Sequence, residues 1–185
     1  VNWASLPANY FAGRATGNRA IGRGGAVFMT DESQFTGNWI RFEDNRADER
    51  GGALDVQGDP ELSMVTDGNF RCSFTTCPGI FGTRGITEGE SATLIGGAVY
   101  ADSGGQINLQ QVHLYNNFAN NGSAIHLSGS SSLAQLDNVL IARNYLYGVG
   151  NGTSAVELTS SASVVMRHVT MAGNFRASDQ FPGLE

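Results

Sequence analysis

The chain has no lysine; all eleven of its basic residues are arginine, set against seventeen acidic ones, for a net charge of −6. With a pI near 5.0, it lacks the basic stripe that a nucleic-acid partner requires. No apolar run reaches 18 residues, which excludes a membrane-spanning helix, and no signal-peptide pattern opens the sequence. Proline is scarce at 4 residues, cysteine is limited to 2, and charged residues make up only 15 %. Neither a phosphate-cradling glycine loop opening a helix, nor G-x-S-x-G, nor H-E-x-x-H, nor the calcium nonapeptide G-G-x-G-x-D occurs, so no cofactor or metal is expected. A 3.6-residue apolar period is missing throughout. Helical folds are thereby excluded.

What is present is a repeat, clearest over 107–127, INLQQVHLYNNFANNGSAIHL. Apolar slots at Ile107, Leu109, Val112 and Leu114 precede Asn117, and Ile125 and Leu127 close the unit. The same slots hold Phe35, Gly37, Ile40 and Phe42 before Asn45. They hold Ala134, Leu136, Val139 and Ile141 before Asn144, and Val164, Met166, Val169 and Met171 before Asn174. Asn69 is a poorer match, with Met64 and Thr66 in its last two slots. Asn18, Asn45, Asn69, Asn117, Asn144 and Asn174 are separated by 27, 24, 48, 27 and 30 residues. A small corner element recurs between them as Gly24-Gly25-Ala26, Gly51-Gly52-Ala53, Gly96-Gly97-Ala98, Gly122-Ser123-Ala124 and Thr153-Ser154-Ala155.

Each unit therefore holds about three short strands of period two separated by tight corners. A unit of this size cannot bury its apolar face alone, so neighbouring units must stack, with equivalent strands parallel and ~4.8 Å apart. The expected fold is all-β: a single right-handed parallel β-helix of about six coils. Asn45, Asn69, Asn117, Asn144 and Asn174 should form a ladder along one bend, and the glycine corner should let adjacent backbones approach closely.

FEDN followed by GGAL, at 42–45 and 51–54, resembles the F-x-x-N and G-G-A-[ILV] repeats of chlamydial polymorphic outer-membrane proteins. More broadly it is similar to right-handed β-helix repeats of bacterial surfaces. The likeness spans 18–174; the strict F-x-x-N occurs once, with Leu114, Ile141 or Met171 at the aromatic place elsewhere. The resemblance implies an exported, surface-displayed and often adhesive domain, secreted or held at a bacterial cell surface. It carries over no catalytic residues.

Residues 1–18 lack the slot pattern and contain Trp3, Tyr10 and Phe11, as a cap over the end of a solenoid would. The β-helix is expected over 19–176, followed by a tail at 177–185 whose terminal Leu-Glu reads as a tag scar. The Asn-to-Gly spacing is 5 or 6 in regular units but 27 between Asn69 and Gly96. This excess predicts an inserted loop over 70–95, with a degenerate extra coil as the alternative. Cys72 and Cys77 lie inside it. Their spacing fits neither a four-ligand zinc site nor a C-x-x-C pair, so a local disulfide between them is expected, with two reduced buried thiols as the alternative. The last unit has no strong cap, so further coils or a partner at that edge are expected.

In the strand after the glycine corner, the outward column reads Phe28, Asp55, Tyr100, His126, Glu157, and the next reads Thr30, Gln57, Asp102, Ser128, Thr159. Asp55, Tyr100, Asp102, His126 and Glu157 should cluster within about two coil spacings, ~10 Å, on an exposed flat face. Carboxylate, imidazole and phenol together suit sugar binding or acid–base chemistry; equally, any solenoid face carries polar residues. Three readings follow. The first is a non-catalytic extracellular recognition or adhesion domain whose partner is a surface glycan or protein. The second is a polysaccharide-active enzyme (lyase, epimerase or hydrolase), and the third is a structural stalk. Asp44, Arg46, Asp48, Glu49 and Arg50 read as a solvated, ion-paired turn. His113 and His168 read as solvated strand and corner residues.

Overall fold

The computed structural model describes residues 13–38, 40–58, 60–65, 79–81, 84–85, 95–147 and 154–177. Among them there is no helix, and every strand pairing is parallel. The chain winds through four sheets in fixed order, turn after turn. The first sheet stacks Gly13–Thr16, Ile40–Glu43, Gly79–Phe81, His113–Tyr115, Leu140–Ala142 and Thr170–Ala172. The second stacks Arg19–Ala20, Arg46–Ala47, Arg84–Gly85, Phe118–Ala119, Tyr145–Tyr147 and Phe175–Ala177. The third holds Val27–Thr30, Leu54–Gln57, Val99–Asp102, Ile125–Leu127 and Val156–Leu158. The fourth holds Gln34–Asn38, Glu61–Val65, Gln106–Gln110, Leu133–Asp137 and Ser163–Arg167.

This is a parallel β-solenoid. With sheets of six, six, five and five strands, it completes slightly fewer turns than the expected six. It also has four strands per turn where the apolar period showed about three. The extra one is the strand that follows each Asn, in most turns too short for a period of two to register.

The slot reading fixes the register. Phe35, Leu62, Ile107, Ala134 and Val164 align across the fourth sheet, and Phe42, Ile80, Leu114, Ile141 and Met171 across the first. These columns form the core: Phe42, Leu62, Ile107, Leu109, Leu114, Leu136 and Ile141 are buried, joined by Leu54, Ile125 and Leu127 from the third sheet. Alternation along each strand sends one side chain inward and the next outward, which is why a period of two yields this core.

The corners explain the conserved spacing within the chain. The residue before each described ladder Asn is left-handed: Gly17, Asp44, Asn116, Arg143 and Gly173 have φ between 51° and 67°. The turn pulls backbone groups out of the sheet ladder, and the Asn side chain takes them up. Asn144 Oδ1 accepts from Asn117 N (3.0 Å) and Nδ2 (2.9 Å), while Asn144 Nδ2 donates to Leu114 O (3.0 Å). Asn174 repeats the pattern, accepting from Asn144 N and Nδ2 at 2.9 Å. Asn45 does the same for Asn18, at 3.1 and 2.8 Å. At the other corner Gly97 lies so close to the next turn that a Cβ there would sit 2.1 Å from Ser123 O. Only glycine fits.

Two expectations need correction. Residues 70–95 are not wholly an inserted loop, because Gly79–Phe81 and Arg84–Gly85 are paired on both sides within the stack, and Ile95 bridges Arg50 and Asn121. The excess length is therefore interrupted by strands, closer to the degenerate coil. Asn69 lies outside the described residues, but Met64, read as the slot equivalent of Val112, does not hold that slot. The strand that follows the Asn corner at this level begins only at Arg84, and Met64 aligns with Leu109 and Gly37 in an earlier slot. Residues 1–12 (most of the expected cap), Cys72 and Cys77, and the tail from 178 also lie outside the described residues. At the last turn Met166, Met171 and Phe175 are exposed, and a cavity of about 300 Å³ opens between Leu146, Ala155, Met171 and Phe175.

Candidate binding column

Strand register in the third sheet aligns Phe28, Asp55, Tyr100, His126 and Glu157 in one outward column, with Thr30, Gln57 and Asp102 in the next. All five candidate residues are thus brought together. They are not on an open face, however. Asp55 is 0 % exposed, Tyr100 3 % and His126 5 %, whereas Asp102 and Glu157 are half-buried at the rim. Strand alternation tells which face a residue takes; it does not tell whether that face is covered.

Arg50 is the residue that the sequence reading misplaced. It stands immediately before the glycine corner, in a bridge column with Arg23, Ile95 and Asn121. Its Nε lies 3.3 Å from Asp55 Oδ2, its Nη1 donates to Tyr100 Oη at 3.3 Å, and its Cζ is 4.7 Å from the Tyr100 ring centre. The rest of that turn is the expected ion-paired surface: Arg46 and Arg19 meet Asp48 at 3.0 and 3.4 Å, and Arg23 meets Glu49 at 3.5 Å. The position before each Gly-Gly pair, read as a column, would have pointed to Arg50.

From Arg50 the polar contacts run along the column. Gln57 Nε2 donates to Asp55 Oδ1 at 2.8 Å, and Gln57 Oε1 accepts from Arg23 Nη1 at 3.1 Å. Tyr100 Oη donates to Asp102 Oδ2 at 3.1 Å, and its ring stacks on His126 with centres 5.6 Å apart. His126 Nε2 meets Thr159 Oγ1 at 3.4 Å, and its Nδ1 faces Glu157 Oε2 at 3.9 Å. Four buried atoms of this column lack a hydrogen-bond partner: Arg50 Nε, Asp55 Oδ2, His126 Nδ1 and Glu157 Oε2.

Burial governs the protonation states. It pushes the Asp55 carboxyl up to about 6, against the opposing pull of the Gln57 hydrogen bond and the Arg50 charge. It also raises Tyr100 to about 12, helped by Asp102, and lowers His126 to about 4 despite Asp102. At neutral pH the column thus holds a neutral imidazole stacked on the Tyr100 ring. Among the described residues no three His, Cys, Asp or Glu converge closely enough to hold a metal ion. Of the other histidines, His168 is exposed with Nδ1 3.5 Å from Asp137, and His113 is half-buried beside Arg41, where burial lowers its pKa.

No family model, curated protein or solved structure matches the chain. The parallel β-solenoid rests on the strand pairings alone, and nothing in the comparisons backs the chlamydial likeness.

Proposed function

We propose that the protein is a non-catalytic recognition domain of a bacterial surface or secreted protein, and that it binds a glycan along its third sheet. The observation that carries this reading is the aligned column Asp55–Tyr100–His126–Glu157, rimmed by Gln57 and Asp102, in which the buried His126 Nδ1 and Glu157 Oε2 lack hydrogen-bond partners. Such atoms cost about 1–3 kcal/mol each when unmet, and a ligand rich in hydroxyl groups meets them. The F-x-x-N and G-G-A likeness to surface-displayed repeats supports the location. The exposed apolar side chains of the last turn suit further coils or a partner at that edge.

A glycan array probed with the parent and with Asp102→Ala/Glu157→Ala tests the reading. Binding lost in the double variant, but kept in Asn108→Arg on the exposed fourth sheet, is the expected result. Equal binding by all three proteins, or none by the parent, refutes it.

The shifted Asp55 and His126 favour a second reading, acid–base catalysis on a polysaccharide, since useful acids and bases have tuned pKa values. Recognition is preferred because a general acid must reach its substrate at about 2.6–3.2 Å. Asp55 is fully buried, and it is separated from His126 by the intervening Tyr100 strand. Product formation from acidic polysaccharides, abolished by His126→Ala with binding intact, would reverse the preference.

A further inference from the structure

The gap between His126 and Glu157 lies at the free edge of the third sheet, and what it implies rests on the glycan reading. The Thr159 hydroxyl lies 3.4 Å from both Leu127 O and His126 Nε2; when it donates to Leu127 O, its oxygen is left to accept from Nε2. That tautomer places a lone pair on Nδ1. Nδ1 faces Glu157 Oε2 at 3.9 Å, and both atoms are buried without a hydrogen-bond partner. In that tautomer the two are both acceptors and cannot bond each other; they can share a donor with at least two protons that approaches both from one side.

Access and charge narrow the choice. The His126 side chain is 6 % exposed and that of Glu157 is 21 %, so the gap opens on the Glu157 side. Val156–Leu158 is the terminal strand of its sheet, and no described strand covers it from beyond. Among the described residues the nearby charges are the Glu157 and Asp102 carboxylates, the latter close enough to act on His126. Arg50, which among the described residues is the cation bonded to Tyr100, is engaged with Asp55 and Tyr100. A hydroxyl, with one proton, would satisfy one lone pair and leave the Glu157 charge uncompensated. An ammonium group satisfies both lone pairs and the charge, through charge-assisted bonds that are about twice as strong as neutral ones.

We propose that the His126–Glu157 gap binds a primary ammonium group, supplied by an unacetylated amino sugar of the glycan. A lysine side chain presents the same ammonium, but the aligned polar column suits a polyhydroxyl chain better than a peptide.

Calorimetric titration with a fully deacetylated chito-oligosaccharide and with its N-acetylated counterpart tests the assignment. The deacetylated oligomer should bind the parent about tenfold or more tighter. Glu157→Gln should erase that difference. On the parent, nitrogen-15 spectra should show the His126 Nδ1 resonance shifting on binding, a readout that does not depend on whether the variant folds. Equal affinity for the two oligomers, with sensitivity to Asp102→Ala retained, overturns the ammonium site while leaving the glycan reading intact. Absence of binding by either oligomer and by every array glycan refutes the glycan reading itself. Binding of a lysine-bearing peptide alone, lost in Glu157→Gln, overturns the amino-sugar assignment.

Discussion

Replacing Asn144 by Ala should destabilise the solenoid far more than any exposed Asn replacement. Asn144 is 0 % exposed and sits in the middle of the ladder segment formed with Asn117 and Asn174. Truncation removes the acceptor of Asn117 N and Nδ2, and it removes the donor to Leu114 O, bonds of 3.0, 2.9 and 3.0 Å. Each buried polar group deprived of its partner costs about 1–3 kcal/mol. Two donors and two acceptors are affected, since Asn174 Oδ1 also loses Asn144 Nδ2 while keeping Asn144 N; with some relief from relaxation, the loss should be about 3–5 kcal/mol. In a chain of this size that lowers the melting temperature by roughly 6–20 °C. Asn18→Ala is the internal comparison, since Asn18 makes two bonds to Asn45 Oδ1 but is exposed; it should cost about 1 kcal/mol or less. Thermal and urea unfolding of the three proteins decides the matter. If Asn144→Ala melts within about 2 °C of the parent, the ladder is not what holds these corners.

The glycine corner makes a second prediction: Gly97→Ala should cost about 3 kcal/mol or more, because its Cβ meets backbone oxygens of Ser123 and Phe118 at 2.1 and 2.7 Å. Gly17→Ala has nothing within 4 Å and only a φ of +67° to oppose it, so urea midpoints should show a loss of about 1–2 kcal/mol. Leu114→Ala, at a fully buried slot, should lose about 2–5 kcal/mol, and a loss under 1 kcal/mol would contradict the inward register. The buried pair predicts opposite pH slopes. Asp55, raised to about 6, contributes stability that is full below about pH 4 and lost as pH rises through 6. His126, lowered to about 4, contributes stability that is full above about pH 6.5 and lost as pH falls through 4. The two nearly cancel between pH 4 and 6 in the parent. Asp55→Asn should therefore gain stability relative to the parent as pH rises over that window, and His126→Gln should lose it, each by an amount on the order of 2 kcal/mol. Parallel pH profiles for all three proteins would refute the linkage.

The turns were legible where a slot column and a corner residue coincided. Ile107, Leu109 and Leu114 align as their spacing demanded, and Asn117, Asn144 and Asn174 join through their side chains. The level at Gly79–Phe81 was not legible, since its strands are two or three residues long and the residue before Arg84 is Thr83 rather than Asn. A period of two needs four or five residues to register, so Met64 was read into the slot of Val112 although it aligns with Leu109. In the candidate column, Asp55, Tyr100, His126 and Glu157 were found because alternation fixes their face. Their burial and the approach of Arg50 were not found. Both arise from contacts across a corner and over the sheet, and strand periodicity carries no record of either.

Hydrogen–deuterium exchange on the protein with and without the best array glycan tests the central claim directly. Added protection should fall on Leu54–Gln57, Val99–Asp102, Ile125–Leu127 and Val156–Leu158, while Gln106–Gln110 and Leu133–Asp137 on the fourth sheet stay unchanged. Protection confined to the fourth sheet, or to the last turn around Phe175, would contradict recognition through the third-sheet column.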